Sequence, residues 1–276
     1  MTVSLKVLVE DTASEHLALG NEHGLSLYVE TPQTVFVFDC GATGLAWENA
    51  ALMHVDLEKI AFVACSHSHY DHAGGFPSLL KNVDPHTLYT GKNFWREKYG
   101  YEPESKKYTY LGAGFSAEDL KRWQISHKVC EDILQIDDYC WLVGNFERKH
   151  AFETIPPRMV CGTEGIPDDF SDEICLVVRE GDGAALITGC SHPGILNIAE
   201  TVYNRLKLPI YSIVGGTHLM EADEKRIEIT LAELKKMKTR RLALCHCSGE
   251  MVRERLKKDE SLNGCLLSTG DMLLFE

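Results

Sequence analysis

Three histidines and one aspartate stand within six consecutive residues, and this cluster constrains the fold more than any other feature. The run His67-Ser68-His69-Tyr70-Asp71-His72 follows a short apolar segment at 60–65 and precedes Gly74-Gly75. Imidazole nitrogens and carboxylate oxygens suit Zn²⁺, and also Mn²⁺ or Fe²⁺. We therefore predict a strand that ends in a loop whose alternate side chains turn toward one or two metal ions.

The order of these side chains favours a pair of ions. His67 and His69 are predicted to share one ion, while Asp71 and His72 reach a second. Two ions about 3.5–4 Å apart can hold a bridging hydroxide and clamp a substrate oxygen. The alternative is a chance cluster of surface histidines. The chain has 12 histidines in 276 residues, so three within six positions are rare by chance.

Hydrophobic periodicity predicts a mixed α/β chain. Strand-like runs dominate the first third, and strands alternate with helices in the last third. Two packed sheets with helices outside, as one domain over 1–276, are the simplest arrangement. Strands are predicted at 3–9, 24–30, 34–39, 60–65, 174–179, 184–188, 210–214, 241–245 and 265–275, and helices at 49–56, 73–80, 195–206, 222–238 and from 250.

Composition narrows the class of partner. Forty-one acidic residues against 28 Lys and Arg give a formal charge of −13, which disfavours a long nucleic acid as ligand. The first residues alternate like a strand and lack a basic leader, and no run approaches the roughly 20 apolar residues of a membrane span. We expect a cytoplasmic protein with ten mostly free thiols and a small-molecule substrate. The sequence does not determine the oligomeric state.

The histidine run, placed after a strand, resembles the signature of the metallo-β-lactamase superfamily. The resemblance implies a four-layer αββα sandwich with a metal site at one edge of the paired sheets. Phe38-Asp39-Cys40-Gly41 resembles the family's strand-end Asp-x-Gly, which would place Asp39 behind a metal ligand. Segments 21–26, 188–195 and 215–219 are similar to the branch that contains dihydropterin ribofuranosylaminobenzene-phosphate synthases, whose members are often called metal-dependent hydrolases.

The resemblance also suggests the remaining ligands. The superfamily usually supplies a bridging aspartate from a Gly-Asp at a strand end, but this chain reads Gly189-Cys190-Ser191-His192. We predict that His192 joins the first ion, and that Cys190 is either a thiolate bridge or a small buried thiol. Without the bridging carboxylate, a mononuclear site stays open as an alternative.

Further histidines complete the predicted site. His246 resembles the family's last histidine ligand and would bind the second ion, although Cys245-His246-Cys247 could instead belong to a separate structural zinc. His218 follows two glycines and is predicted to contact substrate or a developing oxyanion, with a buried structural histidine as the alternative. His23 and Glu22 are possible substrate contacts. His150 is a further candidate, because the family often draws a ligand from between its two halves.

The segment 92–150 is predicted to be an aromatic-rich insertion or cap near the active site. Eleven of the 24 aromatic residues lie between 94 and 146, and 92–128 contains eight Lys or Arg against five acids. The aromatic rings could stack on a flat substrate and the cations could hold a phosphate. Alternatively, the aromatic residues form a small core of their own. The acidic run 168–173 is predicted to be a solvated face or a contact to a substrate hydroxyl.

These observations together predict a metal-dependent hydrolase. The metal would activate a water molecule against a small, anionic substrate that carries a phosphate or an aromatic, pterin-like group. If only one ion binds tightly, Asp71 becomes the candidate general base. The alternatives are a transferase similar to the synthases named above, a phosphodiesterase acting on nucleotides, and a ligand-binding module with an idle metal site.

Overall fold

The computed structural model describes residues 2–237 and 239–276. The strands are β1 (Val3–Val9), β2 (Ser26–Glu30), β3 (Val35–Cys40), β4 (Phe62–Ala64), β5 (Thr87–Thr90), β6 (Lys98–Glu102), β7 (Lys107–Tyr110), β8 (Ser126–Val129), β9 (Ile133–Gln135), β10 (Cys140–Gly144), β11 (Met159–Cys161), β12 (Ile166–Pro167), β13 (Ile174–Glu180), β14 (Gly183–Thr188), β15 (Ile210–Gly215), β16 (Arg241–Leu244), β17 (Gly264–Leu266) and β18 (Met272–Phe275).

Within the described residues, seven α-helices and three short 3₁₀ helices connect these strands. The α-helices are α1 (Leu45–Leu52), α2 (Tyr70–Ala73), α3 (Phe76–Leu79), α4 (Ala117–Arg122), α5 (Ile195–Leu206), α6 (Glu224–Lys236) and α7 (Glu250–Lys258), and the 3₁₀ helices span Leu57–Lys59, His246–Ser248 and Glu260–Leu262. In the described part of the chain, every helix falls short of the length and apolar character that a membrane span requires.

Two seven-stranded sheets face each other. The first has the order β18-β1-β2-β3-β4-β5-β8 and the second the order β17-β16-β15-β14-β13-β10-β9. An apolar core of residues from both sheets fills the space between them. Two further apolar clusters join each outer face to its helices: α1, α3 and α4 cover the first sheet, and α5, α6 and α7 cover the second. The predicted four-layer αββα sandwich is therefore confirmed.

Central strands are apolar on both faces because each is enclosed by a sheet and by helices. β3 and β14 are buried over their whole lengths. Such strands lack the alternation of a half-exposed strand. Their short apolar runs were nevertheless recognisable as strands from their β-branched and aromatic content.

The topology brings six loops to one edge of the sandwich. In the first sheet, β3 and β4 are parallel, and β1 runs in the same direction because two antiparallel pairings separate it from β3. In the second sheet, β14, β15 and β16 are parallel neighbours. Ligand sites of open α/β sheets form at the carboxyl ends of such strands. The histidine run follows β4 directly, so it lies at this edge.

The segment 92–150, predicted as an insertion or cap, contributes strands to three different sheets. Strands β8, β9 and β10 belong to the two main sheets. The hairpin β6–β7 instead joins β11 and β12, which lie beyond the predicted boundary, in a separate antiparallel sheet of order β12-β11-β6-β7. Edge strands such as β8 and β9 are short and half-exposed, which gave them a weak signal in the sequence.

Other differences concern the ends of elements. The strand predicted at 265–275 is two strands, β17 in the second sheet and β18 in the first, separated by a turn in which Gly270 has a φ of +97°. The helix predicted at 49–56 begins earlier, at Leu45, and ends at Leu52. The helix predicted at 222–238 is Glu224–Lys236, and its predicted last residue, Lys238, lies outside the described residues, as does Met1.

The core between the sheets yields a test of this arrangement. Leu27 of β2 is fully buried there, whereas Leu17 is 98% exposed. We expect Leu27→Ala to lower the free energy of unfolding by about 2–5 kcal/mol, because it removes packed methyl groups and leaves a cavity. The matched change Leu17→Ala should alter it by less than about 0.5 kcal/mol. Urea denaturation measures both, and equal effects would contradict the packing described here.

Candidate metal centre

A cavity of about 240 Å³ opens at the edge where the strand ends meet. Its walls include residues from the histidine run, from the loop after β14, from the loop after β15 and from the 3₁₀ helix after β16. The lining residues are His23, His69, Tyr70, Asp71, Leu111, Arg158, Met159, Cys190, His192, His218, Met220, Glu221, His246 and Cys247. We call this cavity the metal pocket. Both sheets contribute to it, so it exists only when the sandwich is assembled.

Three imidazoles converge on one point of the metal pocket. His67, His69 and His192 each place a ring nitrogen within 4.8 Å of the others. The His67 Nε2 and the His69 Nδ1 are 3.1 Å apart. In a tetrahedral zinc site with bonds of about 2.0–2.1 Å, two nitrogen ligands stand roughly 3.3 Å apart. The observed spacing therefore matches two ligands of one ion, and we call this group the first trio.

His192 supplies the strongest sign that the first trio fits a metal ion. Both its ring nitrogens are buried and have no hydrogen-bond partner. Its ring stacks on Phe170, with centroids 3.8 Å apart, so it is held in place. A buried donor or acceptor without a partner costs about 1–3 kcal/mol. A divalent cation bound to one nitrogen would remove part of that cost, and the donor set of three imidazoles suits such an ion.

A second group of ligand atoms lies beside the first. The His72 Nε2 and the His246 Nε2 are 3.1 Å apart. The Asp71 Oδ2 is 3.4 Å from the His246 Nε2 and 3.6 Å from the His72 Nε2. We call Asp71, His72 and His246 the second trio. The structure thus brings together all six residues predicted as ligands, in the same two groups, and their role as ligands stays a prediction.

Cys190 lies between the two trios. Its Sγ is 3.2 Å from the His72 Nε2. It can share an ion with His67 and His72, or with His246 and Cys247, since in each set the ligand atoms lie within 4.8 Å of one another. A thiol therefore lies within reach of both groups of candidate ligands. Burial raises the pKa of Cys190 well above the usual value for a thiol, so without a metal ion it is protonated.

One buried carboxylate orients ligands of both trios. The Asp39 Oδ2 is 2.7 Å from the His72 Nδ1 and accepts a hydrogen bond from the Ser66 hydroxyl at 2.8 Å. The Ser66 Oγ in turn contacts the His67 Nδ1 at 2.9 Å. These contacts engage the Nδ1 atoms of His67 and His72 and leave both Nε2 atoms turned toward the pocket. Partners of this kind fix the tautomer and the direction of a metal-binding imidazole.

Asp11 contacts the Nδ1 of His246 as Asp39 contacts the Nδ1 of His72. This role of Asp11 was not predicted from the sequence. The Asp11 Oδ1 is 2.5 Å from the His246 Nδ1, and the Asp11 Oδ2 is 2.8 Å from the His23 Nδ1. Burial lowers the pKa of His246, but Asp11 and Asp71 outweigh burial and raise it well above the ordinary value. A signal was present, because Glu10 and Asp11 directly follow β1, whose end lies at the same edge as those of β3 and β4.

The protonation states of the first trio and of Asp71 suit a cation, whereas His246, whose pKa is raised, must release its proton before it can bind one. Burial lowers the pKa of His67 and of His192 well below the ordinary histidine value and lowers that of His69 to about 3. Burial pushes the pKa of Asp71 up, but His72 and His246 outweigh it and hold this pKa below its ordinary value. At neutral pH the first trio is therefore uncharged and Asp71 is ionised. Metal ligation requires this state.

A buried ion-pair cluster supports the first trio, and sequence reasoning missed it too. Lys98 is only 1% exposed, and its Nζ is 2.7 Å from a carboxylate oxygen of both Asp168 and Asp172. Asp172 also accepts a hydrogen bond from the Ser68 amide at 3.0 Å. The Lys98 Nζ lies 4.3 Å from the centre of the Phe170 ring, which stacks on His192. The acidic run 168–173 is thus largely buried, and the prediction of a solvated face is wrong.

Backbone strain concentrates around the metal pocket. Asp39, Ser191, His218 and His246 all have positive φ values, of 61°, 65°, 48° and 50°. Such conformations cost about 1–3 kcal/mol each for residues other than glycine and persist only where the surroundings enforce them. Each of the four terminates or follows a strand whose carboxyl end meets the pocket. The strain turns the chain sharply, so that side chains point inward.

Of the four remaining predicted site residues, two line the metal pocket and two lie elsewhere. His23 and His218 line the metal pocket. Glu22 instead accepts hydrogen bonds from the Ala42 and Thr43 amides at 2.9 and 3.1 Å and from the Thr43 hydroxyl, so it stabilises the loop after β3. His150 contacts Glu200 at 3.0 Å and lines a different cavity.

The structure also answers two alternatives that the sequence left open. Cys245 lies in the core between the sheets while Cys247 lines the metal pocket, which does not fit a zinc site shared by the two. Four aromatic residues of the segment 92–150, Phe94, Trp95, Phe115 and Trp123, pack in or against the apolar cluster on the outer face of the first sheet. These rings are therefore structural and do not stack on a substrate.

Comparison with known proteins agrees with this geometry. Residues 19–192 match the family model of the metallo-beta-lactamase superfamily. A Methanocaldococcus jannaschii protein named 7,8-dihydropterin-6-methyl-4-(beta-D-ribofuranosyl)-aminobenzene-5'-phosphate synthase is 27% identical over 93% of this chain and 92% of its own.

Solved structures extend the comparison. Tm1679, described as a metal-dependent hydrolase of the beta-lactamase superfamily, superimposes with a TM-score of 0.83 and 27% identity over 98% of each chain. The metallo-beta-lactamase fold protein YhfI from Bacillus subtilis has a TM-score of 0.60 and 12% identity over 99% of this chain and 100% of its own, which is a likeness of fold alone.

Metal content tests the two trios. We expect metal-stripped protein to take up about two equivalents of Zn²⁺, because each trio offers three potential ligand atoms within 4.8 Å of one another. His192→Ala should lose one equivalent and His246→Ala the other, while the control His150→Ala should lose none. Elemental analysis after dialysis measures this. A single equivalent lost only in His192→Ala would indicate a mononuclear site, and full occupancy in both variants would contradict the assignment of ligands.

The Lys98 cluster has a separate consequence. We expect Lys98→Met to lower the free energy of unfolding by about 3–5 kcal/mol, because it leaves two buried carboxylates without their cation. It should also weaken metal binding by about 10- to 100-fold, since the cluster positions His192 and the Ser68 loop. Lys121→Met, which removes an exposed ion pair with Glu118, is the matched control and should change neither quantity measurably. Urea denaturation and competition with a chelator provide the two readouts.

Proposed function

The chain belongs to the metallo-beta-lactamase superfamily, and from this membership we propose that it is a divalent-metal-dependent hydrolase of a small anionic substrate. The observation that carries the proposal is His192, a rigidly stacked, buried imidazole with two unpartnered nitrogens beside His67 and His69. A purely structural histidine would have a hydrogen-bond partner. The superfamily usually uses such a site for divalent metals, and Zn²⁺ is our choice, with Mn²⁺ or Fe²⁺ as alternatives.

The two trios divide the work of holding metal ions. His67, His69 and His192 would hold the first ion, and Asp71, His72 and His246 the second, with the Cys190 thiol between them. A bound divalent ion supplies Lewis acidity, which polarises a substrate oxygen and makes hydroxide available near neutral pH. Asp39 and Asp11 keep the imidazoles turned toward the ions.

Other residues of the pocket handle protons and charge. The Asp71 Oδ2 is 3.4 Å from the His23 Nε2, and the His23 side chain is half-exposed at the mouth of the pocket. If the second ion binds weakly, Asp71 can accept a proton and His23 can pass it to solvent. His218, whose ring centre is 4.2 Å from that of His192, is placed to stabilise negative charge on the substrate. Leu111, Met159 and Met220 give the pocket apolar walls that limit access of water.

A second function, a synthase, is favoured by one specific comparison. The Methanocaldococcus jannaschii relative matches over nearly the whole of both chains, and its name describes joining a dihydropterin to a phosphorylated ribofuranosyl-aminobenzene. A transferase of this kind would use the same metal pocket for a different acceptor, an amine in place of water. The amine would displace the leaving group carried by the 6-methyl carbon of an activated dihydropterin; the leaving group would depart as an anion and the amine would give up a proton. The substrate class, a small molecule that bears a phosphate, is common to both proposals.

Turnover by metal-loaded protein tests the proposal. We expect hydrolysis of bis(p-nitrophenyl) phosphate or of a p-nitrophenyl ester, its loss on treatment with a chelator, and its recovery with Zn²⁺ or Mn²⁺. His192→Ala should reduce kcat by at least about 100-fold, because the first ion loses a ligand, while His150→Ala should leave it unchanged. Preference for the phosphodiester would favour the nucleotide phosphodiesterase that the sequence left open.

The synthase is tested by mass spectrometry with a 7,8-dihydropterin activated at its 6-methyl group and the phosphorylated ribofuranosyl-aminobenzene. Formation of the joined product without hydrolysis would replace the hydrolase with the transferase. A folded protein that binds no metal and turns over neither set of substrates would sink both proposals and favour a ligand-binding module.

A further inference from the structure

A second cavity continues from the metal pocket. It has a volume of about 360 Å³ and is lined by Thr154, Pro156, Pro157, Arg158, His218, Glu221 and Arg226. Arg158, His218 and Glu221 also line the metal pocket, so the two cavities meet there. Together they form one cleft with a metal-binding end and an arginine end. A substrate longer than the metal pocket would extend into the second cavity.

The arginine end has a charge opposite to that of the molecule as a whole. The chain has a formal charge of −13, yet this cavity has two arginines and one carboxylate in its walls. Arg158 directly precedes β11, and Arg226 belongs to the first turn of α6. Cations from two separate segments thus meet at one cavity. The two guanidinium groups outnumber the single carboxylate, so the lining has a net positive charge that favours anionic ligands.

Arg226 has capacity for a further hydrogen bond. Its Nη1 donates to the Thr154 carbonyl at 2.8 Å, but its Nε is buried and has no partner. Burial lowers the pKa of Arg226, and the nearby carboxylates of Glu153 and Asp223 oppose that shift. Glu153 is itself engaged, because its carboxylate accepts hydrogen bonds from the Leu196 and Asn197 amides at 3.0 and 2.8 Å. A guanidinium stays charged in proteins, so its buried N–H is a donor in need of an acceptor.

Arg158 is held by a carboxylate that an anionic ligand can displace. Both its Nη2 and its Nε donate to Glu221, the latter at 3.2 Å. The Arg158 side chain is 45% exposed and that of Glu221 is 29% exposed. A phosphate can accept the same two parallel hydrogen bonds from the guanidinium, so an exchange of partner keeps both of them. An oxyanion entering the cavity would compete with Glu221 for the guanidinium fork, which matches carboxylates and phosphates equally in shape.

We propose that the cavity of Arg158 and Arg226 binds the phosphate group of a phosphomonoester substrate whose reacting part lies in the metal pocket. The proposal deepens the proposed function and rests on it for the role of the metal pocket. Two guanidinium groups favour a phosphate over a carboxylate, because a monoester carries close to two negative charges at neutral pH. Glu221 occupies Arg158 until the phosphate arrives.

Binding of ribose 5-phosphate, with ribose as the uncharged control, tests the proposal by calorimetric titration. We expect ribose 5-phosphate, but not ribose, to bind both chelator-treated and Zn²⁺-loaded protein. Arg226→Met and Arg158→Met should each weaken binding by about 10- to 100-fold, the usual effect of losing charge-assisted hydrogen bonds. Arg122→Met, at an exposed arginine of α4, is the matched control and should leave the affinity unchanged.

The variant Glu221→Gln distinguishes the loss of a specific contact from misfolding. It frees Arg158 from its competitor, so we expect ribose 5-phosphate to bind about 3- to 10-fold more tightly. A damaged protein would not gain affinity. The proposal is overturned if both arginine variants bind like the wild type, if binding requires Zn²⁺ and ignores the arginines, or if ribonate, a carboxylate of similar size, binds as tightly.

The same experiment separates this proposal from the proposed function. The titration of chelator-treated protein does not depend on metal chemistry, so phosphate binding survives if the enzyme proposal fails. Conversely, hydrolysis of an uncharged p-nitrophenyl ester does not need the arginine end. If that hydrolysis persists while ribose 5-phosphate fails to bind, only the phosphate subsite is overturned.

Discussion

The hydrogen bonds of the buried Asp39 carboxylate are the interaction on which the site depends. Asp39 is fully buried at the end of β3, where it binds Ser66 and His72 and, through Ser66, orients His67. The second sheet approaches the same point at Gly189, where a Cβ would lie 2.1 Å from the Ser66 Oγ. A buried carboxyl group is costly unless its oxygens are hydrogen-bonded. The two sheets therefore approach each other closely where the histidine run begins.

Each group of ligands has a charged support of its own. The first trio is braced by Lys98, which pairs with Asp168 and Asp172 and whose Nζ lies over the Phe170 ring. Asp172 also accepts a hydrogen bond from the Ser68 amide. The second is braced by Asp11. Buried ion pairs seldom add to net stability, but they hold groups in one geometry, and breaking one is strongly destabilising. The cost is consistent with a site that keeps six candidate ligand atoms in fixed positions.

The sequence predicted the fold class well and the supporting residues poorly. The histidine run, read with the strand before it, placed His67 to His72 at a strand end, and strand–helix alternation gave the sandwich. Asp11 and Lys98 were missed because their partners lie far away in the chain: Asp11 contacts His246, and Lys98 contacts Asp168 and Asp172. Strands β8 and β10 within the segment 92–150 were missed for the same reason, since β8 pairs with β5 and β10 with β13, across 30 or more residues of chain.

The sequence by itself determined which side chains can bind a metal and that they follow strands, because local order fixes periodicity and motif spacing. Only the tertiary structure decided how those side chains are grouped and what surrounds them. It placed the Cys190 thiol between two trios, engaged Glu22 with a loop, and joined Arg158 and Arg226 in one cavity. Contacts of this kind arise between segments tens to hundreds of residues apart, where register and strand order decide which side chains meet.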